Sequence, residues 1–85
     1  MTTIEKIAHY QTLWGVALPH LEQPTSQDAV RWCAYPLESV EAAILRAAKR
    51  FAAHKVSQSF DAQEAYRYTT ATARHIAQGG RTVCA

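Results

Sequence analysis

Cysteine, glycine and proline are all scarce in this chain of 85 residues, which has two, three and three of them. Cys33 and Cys84 cannot supply the several disulfides that a secreted domain of this size usually needs. Neither belongs to a Cys-x-x-Cys pair, and His9, His20, His54 and His75 show no i,i+4 pairing and no carboxylate at metal-ligand spacing, so no metal and no cofactor is expected. No apolar run approaches the roughly 18 residues of a membrane span. The first residues hold neither an apolar signal core nor a small-residue cleavage site, and Cys84-Ala85 is too short an ending for a prenylation box. A cytoplasmic chain with reduced thiols and no membrane partner is therefore expected. Gly79-Gly80 follows a helical segment instead of linking a strand to one, so it is no phosphate loop. No cysteine-histidine geometry is proposed by the spacing, and no enzyme activity is expected.

What the chain has in excess is alanine, sixteen residues of it. Alanine has the best helix propensity and lets helices approach closely. With glycine and proline confined to the edges of periodic segments, the fold class expected is all-α, a single domain over 1–85 built as a bundle of about four helices. Thr2 and Glu5 form a capping box for a first helix over about 3–15, which stops near Gly15 or runs on toward Leu18. Its apolar stripe is Ile7, Tyr10, Trp14 and Ala17, widened by Ile4 and Leu13. A short second helix over 26–34 starts at Thr25 or Ser26 and turns Ala29, Trp32 and Cys33 one way; Pro36 ends it by constraining Tyr35. The third helix, 36–55, has Pro36 at its first position and a stripe of Leu37, Val40, Ile44, Ala47 or Ala48, and Phe51. After a polar turn at 56–60, a fourth helix covers 61–78, started by Asp61 and Glu64 with Phe60 and Ala65 as a staple, and stopped by Gly79-Gly80. Ala65, Tyr68, Thr72 and Ile76 are expected inward, with Ala62, Thr69 and Ala73.

The charge is divided along the chain. Residues 1–45 carry Lys6 and Arg31 against five acids, a balance of −3; residues 46–85 carry seven basic side chains against Asp61 and Glu64, a balance of +5. A division of this kind points to an anionic partner for the second half. On the fourth helix, Gln63, Arg67, Thr70, Arg74 and Gln78 share the side away from the core stripe, with Tyr66 at its edge as a ring on which a base can stack. Arg46, Lys49 and Arg50 extend this patch if the third and fourth helices place their basic faces side by side. The expected function is thus a small non-catalytic nucleic-acid-binding or replication-accessory module, with single- or double-stranded DNA as partner and Arg67 and Arg74 as the principal contacts. A solvated helix face with no ligand is the plainer reading of the same residues. The alternative function is protein–protein interaction or self-association, the acidic half of one copy meeting the basic half of another. Trp14 and Trp32 read first as core residues. Trp32, on a short helix between loops, is with Tyr35 the candidate anchor for a protein partner. His54 fits the negative end of the third helix, and His75 a partly buried place beside the inner stripe of the fourth.

Ala43-Ile44 and Ala47-Ala48 fall in one long helix; Tyr68 follows in the next, then Gly80 and Thr82. On these features the chain from Trp32 onward, about half its length, resembles the helical C-terminal domain of DnaD-like replication proteins, the replisome organisers and helicase loaders of phages and plasmids. That family shows an Ile/Ala helix, a Tyr-led helix and a Gly-x-x-Thr-like end; the tryptophan it usually carries late in the Tyr-led helix is replaced here by His75 and Ile76. The resemblance implies binding of single-stranded DNA or a helicase through the last helices, with Arg67, Tyr68 and Arg74 in the matching stretch.

Overall fold

A computed structural model describes residues 1–52 and 61–79 of the chain. Four helices occur in the order α1 (Thr3–Ala17), α2 (Ser26–Trp32), α3 (Leu37–Phe51) and α4 (Asp61–Ala77), with no strand among the described residues. The all-α expectation and the helix count are met. The expected third-helix end at 55, the turn at 56–60, the Phe60 staple, His54, Gly80, Thr82 and Cys84 lie outside the described residues.

Each helix starts where its local chemistry dictates. The Thr2 hydroxyl accepts from the Glu5 amide at 3.2 Å, and the Glu5 carboxylate accepts from the Thr2 amide at 2.7 Å, the reciprocal capping box read from the sequence. That amide, and secondarily the hydroxyl, hold the Glu5 carboxyl below its usual range. The Thr25 hydroxyl caps α2 through the Asp28 amide. Pro36 precedes α3 as its N-cap, one position earlier than expected; its ψ of 145° is extended, and its carbonyl accepts from the amides of Ser39 and Val40. At the far end of α4, Gly79 takes a φ of 73°, the left-handed turn that ends helices.

α3 packs against α4 on one side and α1 on the other, while α2 is wedged against α1 and α4. Val40, Ala43, Ile44, Ala47 and Phe51 present the buried stripe of α3, and small side chains at 43 and 47 let α4 approach. α4 buries Ala62, Ala65, Tyr66, Thr69 and Ala73, whereas Tyr68 and Ile76 only border the core. This arc is rotated from the expected one because α4 meets a helix on each flank and not one stripe alone. Ile4 does not widen the stripe of α1: it is 80% exposed, on the side away from α2 and α3.

The centre is aromatic. Trp14 stacks on Trp32 with ring centroids 5.7 Å apart and planes 25° from parallel, and Tyr66 lies 5.1 Å from Trp14. Tyr10 meets the Trp32 ring edge-on at 6.1 Å. The link from α1 to α2 is drawn beneath these rings: Leu18, Leu21 and Pro24 are buried. The Gln11 amide donates to the Pro24 carbonyl at 3.0 Å, and the Gln23 amide returns to the Gln11 carbonyl at 3.1 Å. Gln23 lies over Gly15, where an added Cβ would stand 2.6 Å from its nitrogen, so a glycine inside α1 makes room for the link. Two histidines tie the first third to α3: His9 Nε2 donates to Glu41 at 2.7 Å, and His20 Nε2 to the Phe51 carbonyl at 2.7 Å.

Replacing Thr2 by Ala removes one half of the capping box and lowers stability by about 1 kcal/mol in urea denaturation at neutral pH. Glu5 contributes only while ionised. Its share is present above the ordinary carboxyl value of 4.5 and is lost as pH falls through the lowered value, so parent and Glu5→Ala unfolding midpoints converge in acid.

Candidate nucleic-acid interface

On α4, positions 63, 67, 70 and 74 fall on one flank because steps of three and four residues return to the same side of a helix. α2 lies against that flank, and between the two helices is a cleft of about 310 Å³. Arg67 and Arg74 line it from α4, as the sequence predicts for a shared face, together with Gln63, Thr70 and Ala71. From α2 come Asp28, Arg31 and Trp32. The cleft therefore gathers three guanidinium groups and one carboxylate. Asp28 is held in place, accepting from the Thr25 hydroxyl at 2.9 Å and standing 3.6 Å from the Arg31 guanidinium. The Arg31 side chain is 70% exposed, so this pair lies in the screened, weak regime. Tyr35 borders the site, half-buried, with its hydroxyl 3.5 Å from Arg74 Nε.

The floor differs from the sequence expectation. Tyr66 is no stacking platform at an exposed edge: it is only 7% exposed, its ring is pressed on Trp14, and its hydroxyl donates to the Glu22 carbonyl. Trp32, expected as a possible partner anchor, is 1% exposed and stacked on Trp14; its indole N–H donates to the Thr70 hydroxyl at 2.9 Å. Thr70 in turn donates to the Tyr66 carbonyl at 3.0 Å. Trp32 thus occupies the core place that its position beside Ala29 and Cys33 suggests first, and Tyr66 joins it because its hydroxyl finds an acceptor inside. Burial pushes the Tyr66 hydroxyl up to about 12, with Glu22 and Asp28 adding to the effect. Tyr10 is also pushed up to about 12, first by burial and then by Cys33 and Glu41.

The basic side chains of α3 do not extend the cleft. Arg46, Lys49 and Arg50 are exposed, but the Arg50 guanidinium lies 5.2 Å from the centre of the Tyr68 ring, on the flank of α4 that faces α3. Tyr68 and Arg67 are successive residues, about 100° apart around the helix. The exposed back of α4, with Glu64 and His75, separates the two groups; His75 is exposed and not beside the core. Arg31, by contrast, joins the cleft although it sits in the acidic half. No local signal picks it out: Arg31 and Cys33 both adjoin the inward ring of Trp32, and the docking of α2 decides that Arg31 is the one beside α4.

The fold and cleft define a small all-α domain that carries, among the described residues, a groove lined by three arginines. The chain matches no protein-family model, no curated protein and no solved structure. Among the described residues no helix is long and apolar enough to cross a membrane, and no cluster of histidine, cysteine and acidic side chains is placed to hold a metal ion.

The raised tyrosines set an alkaline limit. Their contribution to stability is complete below pH 10 and is lost as pH rises toward 12, since ionisation is easier in the unfolded chain. Tyr66→Phe forfeits the bond to Glu22, about 1 kcal/mol at neutral pH, and shows a shallower loss above pH 10, measured by urea denaturation across the alkaline range.

Proposed function

We propose that this chain is a small non-catalytic nucleic-acid-binding module that meets its ligand with the cleft between α2 and α4. The observation that carries this reading is the cleft itself: Arg31, Arg67 and Arg74 from two helices line one groove against the single carboxylate of Asp28. Guanidinium forks match phosphate oxygens bidentately and keep their charge at any physiological pH. Arg46, Lys49 and Arg50 add a second basic surface across α4 that strengthens long-range attraction to the same polyanion. With so few cations, binding is weak and falls steeply with salt. The resemblance of the second half to DnaD-like domains supports a replication-accessory setting of phage or plasmid kind, with Arg67 and Arg74 in the resembling stretch.

Fluorescence anisotropy of labelled single- and double-stranded DNA at several salt concentrations tests the proposal. Saturable binding that weakens with salt is expected. The double variant Arg67→Ala/Arg74→Ala should bind at least about tenfold more weakly and lower the salt slope by about two. Its circular dichroism should match that of the parent, because both side chains are exposed. Unchanged binding by that variant rejects the cleft. The division of charge, −3 before residue 46 and +5 after it, favours one rival, self-association without a nucleic-acid role. That rival is indicated if no DNA binds while the sedimenting mass rises with concentration at low salt and falls to the monomer at high salt.

A further inference from the structure

We infer that the cleft grips the phosphate backbone between Arg31 on the α2 wall and Arg67 and Arg74 on the α4 wall, and touches no base. This rests on the nucleic-acid reading above and adds how the ligand is recognised. Three routes lead to base recognition: stacking on a ring, hydrogen bonds from the floor, and entry into the major groove of a duplex. Bases of a single strand are held by stacking on exposed aromatic faces. Here Trp32 and Tyr66 pack on Trp14 and meet one another edge-on, at 1% and 7% exposure, and Tyr35 at the border is half-buried. Hydrogen-bond readout by the floor needs donors left over there; the guanidinium groups and the Gln63 amide stand on the walls and rim. The indole N–H of Trp32 is spent on Thr70, the Thr70 proton on the Tyr66 carbonyl, and the Tyr66 proton on the Glu22 carbonyl.

Duplex readout by arginine requires an element that enters the major groove, about 12 Å wide. The arginines here stand between two packed helices. Helix axes in contact lie about 8–10 Å apart and each helix is about 10–12 Å thick, so the pair measures roughly 20 Å across. Such a pair cannot enter the groove, and its guanidinium groups meet the phosphates on the outside. Arg31 is the wall that the charge pattern of the sequence hides. Asp28 offsets part of its charge at 3.6 Å, which keeps the grip light.

The test is competition against a labelled thymine strand at low salt, using unlabelled strands of equal length: all-adenine, all-thymine, and an abasic sugar–phosphate strand. The abasic strand should compete within about threefold of the thymine strand, since the charge contact is sequence-independent. Arg31→Ala should weaken every strand alike and lower the salt slope by about one, while Gln63→Ala, which removes the one neutral amide on the rim, leaves the ranking of strands unchanged. An abasic strand that competes more than about tenfold worse, or a tenfold preference for one base, amounts to more than 1 kcal/mol of base contact and overturns the inference while leaving nucleic-acid binding intact. An unchanged affinity in Arg31→Ala overturns the two-walled grip. Absence of binding by every strand overturns this inference together with the function proposed above, a pattern distinct from base selectivity.

Discussion

The stacking of Trp14 on Trp32, with Tyr66 closed against both, is the contact on which the rest of the molecule depends. The three rings come from α1, α2 and α4, helices that otherwise share little surface. α3 organises the small-residue side of the core through Ala43 and Ala47, where backbones come close. On the opposite side the three rings fill the space between helices. Removing any of the three would open a void that neighbours cannot close by small shifts, because packed interiors relax only in part. The same contact builds the cleft: its floor is the outer edge of the aromatic cluster, so core and site are one object seen from two sides.

Much of this was legible in the chain. The Thr2–Glu5 box, the Thr25 cap, Pro36 ahead of α3 and Gly79 after α4 are local signals, and local chemistry fixes helix limits with little help from elsewhere. The α3 stripe was readable because it faces one continuous core. α4 was read less well for a definite reason. A helix with a neighbour on each flank buries an arc too wide for a single stripe, so Tyr66 belonged inside although periodicity placed it at the border. The acceptors that let the Tyr66 phenol and the Trp32 indole be buried, the Glu22 carbonyl and the Thr70 hydroxyl, are distant in sequence and so not legible in it. Arg67 and Arg74 were legible as a pair, being two turns apart on one helix. Arg31 was not, since its membership depends on how α2 docks, a long-range fact.

The two linking histidines show the same limit. His9 to Glu41 and His20 to Phe51 span 32 and 31 residues, and nothing in local spacing announces either. Both join the first third to α3, and through His9 the Glu41 carboxylate of α3 is engaged in holding the fold. The basic groups of α4 face no comparable demand, and the polarity of the molecule survives folding. In the core, Tyr10 Oη and Trp14 Nε1 are buried without a hydrogen-bond partner. Each costs free energy comparable to a lost hydrogen bond, set against the apolar area that the same ring buries.

One feature of α2 bears on how the groove performs. It is seven residues long, far below the length at which a helix persists by itself. Its order is borrowed from Trp32 and Ala29 in the core and from the Thr25 cap. The α2 wall of the groove is therefore present only in the fraction of molecules whose short helix is docked, and under the proposed function the apparent affinity would be the intrinsic one scaled by that fraction. Ligand bound across both walls would in return hold α2 in place. Occupancy of the groove and amide-exchange protection in α2 are then two readings of a single docking equilibrium.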